Sequence, residues 1–328
     1  MCSIVSHKPY LQPKTSDGMP CIETKLLITG ASGRYGRLLI RDLMESRIDP
    51  SNLLLLTRDP TKLANYAQLG CTIREGSFDD PKDRLTAAFH GAETIFMIST
   101  SRAGARLPQH LNAVQSAVAA GAKRIVYTSF VSAHFESPTA LVAQEHHATE
   151  KMLRDSGLDW TVLRDSMYME ALSEVILPTA LLEGILRSNV GSGKVAFVSR
   201  EDCVKAAAAI LRDPKRHQNV AYDITGPQLL TWENVAEVAA SITSQPLSWH
   251  SMTDEECFRM FDDMGVPRHP SDDFERDGVK GYHWNSTDMV SCGSAIRNNE
   301  LEVITDHVHK LTKCQPRTIE DVFRSTYR

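Results

Sequence analysis

The chain has 328 residues, 42% hydrophobic and 23% charged, an average globular composition that excludes wholesale disorder, collagen-like repeats and a coiled coil. Thirty-six basic against forty-one acidic side chains leave a net charge of −5 with no run of like charge, so no surface built to neutralise nucleic-acid phosphates is expected. Seven scattered cysteines, with no Cys-x-x-Cys pair and no Cys/His cluster at zinc spacing, predict reduced thiols in a cytoplasmic protein and no bound metal. In chain order, residues 1–23 carry three prolines and no apolar core of signal-peptide length, and read as a flexible leader. No stretch reaches the roughly 18 consecutive apolar residues that a membrane span needs, so no membrane partner is expected.

From residue 24 to 165, strand and helix alternate, which predicts an α/β fold around a parallel sheet. The predicted strands are Lys25–Thr29, Asn52–Thr57, Cys71–Arg74, Thr94–Ile98, Arg124–Thr128 and Asp159–Leu163, nearly all apolar, as strands covered on both faces must be. Helices are predicted over Tyr35–Ser46, Pro60–Leu69, Pro81–Phe89, Leu107–Ala120 and Leu141–Asp155. Beyond residue 165 the rhythm loosens into longer helices, short strands near Val195–Val198 and Ala221–Ile224, and a polar segment over Val266–Ser294. This is expected to form a smaller, mixed α/β C-terminal lobe over 166–328, with the helix Glu201–Leu211, capped by Ser199, leading back to the first domain so that about 199–213 packs on it.

The junction of the first strand and first helix carries Gly30, Gly33 and Gly36. That spacing permits a tight turn, close approach of backbone N–H groups to a pyrophosphate, and contact of helix with strand, while the helix N-terminus faces the phosphates. It predicts a Rossmann-type, doubly wound dinucleotide-binding domain. At the end of the second strand an NAD site wants an acid for the ribose. Asp59 directly precedes Pro60 at a helix start and reads as its N-cap, which leaves Arg58 for the 2′-phosphate of NADP, with Arg34 as a second charge. After the third strand, Asp79 is positioned for the adenine amino group, although a helix cap is an equal use for the acids beside Pro81.

Six ordered motifs extend this reading: Thr29-Gly30-Ala31-Ser32-Gly33-Arg34-Tyr35-Gly36, Arg58-Asp59-Pro60, the run from Ile98-Ser99-Thr100 to Gln109-His110, Tyr127-Thr128-Ser129, Glu145 to Leu153, and Leu163 to Glu170. Together they resemble the NmrA-like atypical short-chain dehydrogenases, most closely the NADPH-dependent quinone oxidoreductases of that family. The resemblance implies a Rossmann domain, NADPH or NADP as cofactor, and a smaller lobe that closes a substrate cleft. It implies cofactor contacts from Ser32, Tyr35, Ser99 and Thr100 as well as from the glycines. It also implies a second possibility, since some family members sense the NADP pool without turning anything over.

Ordinary short-chain dehydrogenases use Ser followed by Tyr-x-x-x-Lys. Here Ser129 is followed eighteen and twenty-two residues later by His147 and Lys151, so the spacing survives while histidine replaces tyrosine. Two readings stand: Lys151 holds the nicotinamide ribose and His147 moves a proton, or both lie on a solvated helix face. His146, four residues before Glu150, has a further use in orienting the helix or the loop after Ser129. Tyr168 is placed either to stack on and protonate an aromatic substrate or to pack between the lobes, and Phe130, Met167 and Met169 either wall the pocket or fill the core.

Hydride delivery to a simple ketone makes a strongly basic alkoxide, whereas a quinone yields a delocalised phenolate-like anion that needs little acid catalysis. The expected function is therefore NADPH-dependent reduction of a quinone or a related conjugated aromatic or enone, including as a tailoring step in aromatic natural-product assembly. An NADP(H)-sensing regulatory protein without turnover is the alternative.

Overall fold

The computed structural model describes residues 24–270 and 285–327, with the backbone of 275–276 and 279–280. The leader 1–23 and most of the polar segment between Pro270 and Asn285 lie outside the described residues. The first half comprises strands β1 (Leu26–Ile28), β2 (Leu53–Thr57), β3 (Thr72–Glu75), β4 (Thr94–Met97), β5 (Arg124–Phe130) and β6 (Asp159–Asp165). They alternate with helices α1 (Arg34–Glu45), α2 (Ala64–Gln68), α3 (Lys82–Phe89), α4 (Arg106–Ala119) and α5 (Leu141–Asp155). Then follow α6 (Met169–Ala171), a π turn over Leu172–Ile176, α7 (Leu177–Glu183), β7 (Ile185–Ser188), α8 (Arg200–Arg212) and β8 (Val220–Ile224). The remainder carries α9 (Trp232–Thr243), β9 (Ser248–Ser251), α10 (Asp254–Asp263), α11 (Ser286–Arg297), α12 (His307–Thr312) and α13 (Ile319–Thr326).

The main sheet is parallel with strand order β3-β2-β1-β4-β5-β6-β8. Its apolar strands divide by parity, as a period of two dictates. Leu26, Ile28, Leu53 and Leu55 pack on one face with Leu39, Leu43, Ala207, Ile210 and Val308 of α1, α8 and α12. Leu27, Leu54 and Leu56 pack on the other with Leu85, Phe89, Val114, Ala117 and Leu153 of α3, α4 and α5. The inner strands β1, β2 and β4 are thus covered twice, which explains their continuous apolar runs, whereas the edge strand β3 has no buried residue. The doubly wound α/β class expected from the sequence holds.

Two expectations change. Ala221–Ile224, assigned to the smaller lobe, is part of β8, which pairs with β6 from Thr161↔Val220 to Asp165↔Ile224. The crossover through α8, which packs beside α1, returns the chain to the same sheet, so the strand completes it rather than starting another. Val195–Val198 forms isolated bridges, Tyr168↔Val198 and Val195↔Leu230, rather than a strand. A second core of Met169, Leu172, Phe197, Trp232, Val235, Ile296 and Phe323 lies among the elements after β6, beside the two-stranded β7–β9 pair.

Candidate active site

Strand order reverses between β1 and β4, and the crevice at the carboxyl ends there is where an open α/β sheet holds its ligand. Gly30 adopts φ +58, which favours glycine, and its carbonyl accepts the Gly33 N–H at 2.9 Å. A Cβ at Gly36 would sit 2.6 Å from the Gly30 carbonyl oxygen and 2.7 Å from Ala31 Cα, so no larger residue fits under this turn. α1 begins with Gly33 as N-cap, without a side-chain cap and without an acid in its first turn. Its leading N–H groups and partial positive charge are therefore left for an anion. Ser32 Oγ lies 2.9 Å from Thr57 Oγ1, which ties the glycine loop to β2.

Around the end of β2, Asp59 accepts from the Thr61 N–H at 3.1 Å and serves as a cap. Arg58 is exposed, with no hydrogen bond or ion pair to a described residue. Arg37 Nε donates to the Ser32 carbonyl at 2.9 Å and Arg37 Nη2 to the Lys62 carbonyl at 2.8 Å. Arg37 thus ties the glycine loop to the segment after β2, where Lys62 Nζ lies 3.8 Å from Asp59 Oδ2, and neither was singled out from the sequence, because each stands outside the glycine and Arg-Asp-Pro motifs. Uncapped helix end, close-approach glycine and exposed Arg58 together fit a phosphorylated dinucleotide. Arg34 points elsewhere: its guanidinium pairs with Glu174 across the crevice. The Tyr35 ring turns inward and stacks on Phe96 with centroids 5.8 Å apart. Asp79 accepts from Gln109 Nε2 at 2.8 Å, held to α4.

The loop after β4 is caged by side chains. The Ser99 N–H donates to Thr128 Oγ1 at 2.9 Å, the Thr100 N–H to His110 Nε2 at 3.2 Å, and Arg106 Nε to the Thr100 carbonyl at 2.5 Å. Glu145 accepts from the Gly104 and Arg106 N–H groups at 3.0 and 2.9 Å, and Asn285 Nδ2 donates to the Ala103 carbonyl at 3.0 Å. Because His110 Nε2 accepts, its Nδ1–H donates to Thr149 Oγ1 at 2.9 Å. Burial, with the Arg106 charge nearby, pushes His110 down to about 3 and His146 well below the usual histidine range, so both rings are neutral. The Tyr127 hydroxyl, itself driven upward by burial, is hydrogen-bonded to His146 Nδ1 at 2.6 Å. The available signal was spacing: Arg106/His110 and Glu145/Thr149 are polar pairs four residues apart on otherwise apolar helix faces.

Of the four residues read as catalytic, no hydrogen bond joins any two. Ser129 Oγ donates to Glu150 Oε1 at 2.7 Å, and Glu150 also pairs with Arg154 at 2.8 Å and Arg164 at 2.8 Å, so the serine hydroxyl is spent on a buried ion cluster. His147 is half-buried, and its Nδ1–H donates to the Ala133 carbonyl at 3.0 Å. Lys151, one turn on, is exposed. Tyr168 donates its hydroxyl to Asp165 Oδ2 at 2.7 Å, with the Arg200 guanidinium 5.4 Å over its ring. Asp165, at the end of β6, was not anticipated. Burial pushes its carboxyl up to about 7 against the lowering effect of hydrogen bonds from Tyr168 and the Cys203 thiol. Phe130 and Met167 are half-buried at the ends of β5 and β6, Phe130 stacking on His146 at 6.4 Å. Met169 is buried in the second core.

Fold and glycine turn together define a Rossmann-type NAD(P)H-binding protein. Residues 30–214, more than half of the chain, match the NAD(P)H-binding family, and this chain belongs to it. It is 34% identical over 242 residues to quinone oxidoreductase 2 of Escherichia coli K12, an alignment covering 74% of this chain and 82% of that protein. The crystal structure of the NADPH-dependent quinone oxidoreductase from Escherichia coli complexed with NADPH is similar at TM-score 0.80 and 28% identity, covering 92% of this chain and 100% of that one. Triphenylmethane reductase from Citrobacter sp., complexed with NADP(H), is similar at TM-score 0.78 and 25% identity, covering 92% and 99%. These matches uphold the resemblance carried by the six motifs. Among the described residues, no helix is long and apolar enough to cross a membrane.

Proposed function

We propose that this protein is an NADPH-dependent oxidoreductase whose acceptor is a quinone or a related conjugated aromatic or enone. The observation that carries it is the end of β2: Asp59 is used as a cap and Arg58 is exposed with no ion pair to a described residue, which suits a ribose 2′-phosphate rather than a bare 2′-hydroxyl. The Escherichia coli relative, named for quinone reduction, points the same way. A nicotinamide bound in this crevice supplies a hydride.

Gly30, Gly33 and Gly36 bring backbone to the pyrophosphate, Ser99 and Thr100 border the nicotinamide end in their caged loop, and Lys151 reaches the ribose from α5. Phe130 and Met167 flank a flat acceptor, and His147, loaded with a solvent proton at Nε2, gives that proton to the anion left by hydride transfer. Ser129 and Tyr168 position the ends of β5 and β6 through Glu150 and Asp165. With the Ser129 and Tyr168 hydroxyls committed in this way, an acceptor whose reduced anion is already delocalised is favoured over a simple ketone. Residues 24–165 serve as the cofactor domain and 166–328 as the substrate lobe, with α8 and β8 returning to the main sheet. The five described cysteines are free thiols, in keeping with a cytoplasmic setting.

The test follows NADPH consumption with benzoquinone, naphthoquinone and hydroxylated anthraquinones, beside NADH and a cofactor fluorescence titration. Turnover that prefers NADPH supports the reading, and an anthraquinone as best acceptor extends it to natural-product tailoring. Tight NADPH binding with no turnover on any acceptor overturns it in favour of a sensor.

A further inference from the structure

Glu174 is the residue whose placement the proposed function does not use. It sits on the π turn Leu172–Ile176, a rare helical form that recurs at functional positions. That turn is pinned from behind: Tyr327 Oη donates to the Ser173 carbonyl at 2.7 Å, and Ser173 is buried. Glu174 is thereby presented, half-exposed, towards the glycine loop, where its carboxylate pairs with Arg34, the first residue of α1. Its other oxygen lies 4.0 Å from Arg200 Nη1. Arg200 in turn is fixed, its backbone N–H donating to both Glu170 oxygens at 3.0 Å and its guanidinium lying over Tyr168. One carboxylate therefore stands between two guanidinium groups, before a helix end that has no acid of its own.

A dinucleotide pyrophosphate at the same helix end would bring its own negative charge to the same arginine. We propose that Glu174 is an affinity-setting residue that competes with the dinucleotide phosphates for Arg34, so that it weakens cofactor binding and speeds release of the spent cofactor. This rests on the cofactor reading above. Because the pyrophosphate is common to NADPH and NADH, the competition acts on both alike, unlike any effect of Arg58.

The experiment is a fluorescence titration of NADPH and NADH against the wild type, Glu174→Gln, Arg34→Ala and the double variant, with melting curves to establish that each is folded. Glu174→Gln is expected to tighten both dinucleotides about two- to fivefold at low salt, the size of an exposed charge interaction. The gain should shrink as salt rises. In the Arg34→Ala background the same change should shift binding less than about twofold, because the contested group is gone. Unchanged or weaker binding by Glu174→Gln, or an equal gain in both backgrounds, overturns the proposal while leaving the cofactor reading intact. A wild type that binds neither dinucleotide overturns both.

Discussion

Arg106 Nη1 lies 3.1 Å from Glu145 Oε2, and both side chains are more than nine-tenths buried. This ion pair does more than balance charge, because the same carboxylate receives the Gly104 and Arg106 N–H groups and the same guanidinium holds the Thr100 carbonyl. It fixes the course of the loop between β4 and α4. Glu145→Gln removes the carboxylate paired with buried Arg106 and should cost about 3 kcal/mol in urea unfolding. Replacing both residues by methionine should recover part of that loss, since two backbone donors would still lack an acceptor.

Arg58→Ala should weaken NADPH binding about ten- to a hundredfold, the value of one charge-assisted contact to a phosphate, and leave NADH binding within about twofold. The two titrations, run on one preparation, check it. An equal loss for both cofactors would remove Arg58 from the 2′-phosphate site.

Gly36→Ala forces a methyl group to within 2.6 Å of the Gly30 carbonyl oxygen and 2.7 Å of Ala31 Cα. Backbone cannot yield as a flexible side chain does, so the turn itself must move. Both dinucleotides should lose at least about tenfold in affinity, and the melting temperature should fall. Gly121→Ala, where the added carbon meets nothing within 4 Å but φ is +76, serves as the control for backbone strain alone.

Asp165 predicts a pH dependence of stability. Its carboxyl is pushed up to about 7 in the fold from an ordinary 3.8, so between these values the folded chain holds a proton that the unfolded chain has released. Stability attributable to this group is thus present below about pH 4, falls as pH rises towards 7, and stays lost above it. Asp165→Asn keeps an acceptor for the Tyr168 hydroxyl and removes the ionisation. It should match the wild type near pH 4 and exceed it at pH 8, by at most about 4 kcal/mol at about 1.4 kcal/mol per tenfold in proton affinity. Melting curves at the two pH values decide, and a variant destabilised equally at both would overturn the assignment.

Much of this molecule was legible from residue order. Strands β1, β2, β4 and most of β5 follow from apolar runs bounded by glycine and polar turns, and the doubly wound class follows from the alternation of strands with helices. The glycine turn was readable because Gly30 and Gly36 answer to backbone geometry within a few residues of one another. The Asp59 cap was readable for the same reason, its partner Thr61 being two residues away. These are local constraints, and local constraints leave a pattern in the sequence.

Tertiary structure decided the rest. Whether Ser129 faces a substrate or Glu150, whether Arg34 faces a phosphate or Glu174, and whether Val220–Ile224 joins the main sheet depend on partners 21, 140 and about 60 residues away. So does the cage around the loop after β4, built by His110, Glu145 and Asn285 from three separate segments. Periodicity records which face of an element is apolar, whereas the pairing of polar groups across the core depends on how whole elements pack. The sequence alone therefore determined that a dinucleotide fold is present and where its glycine turn lies. Packing determined which polar side chains remain free to meet a ligand, because a buried polar group must find a partner and takes whichever one the fold brings within reach.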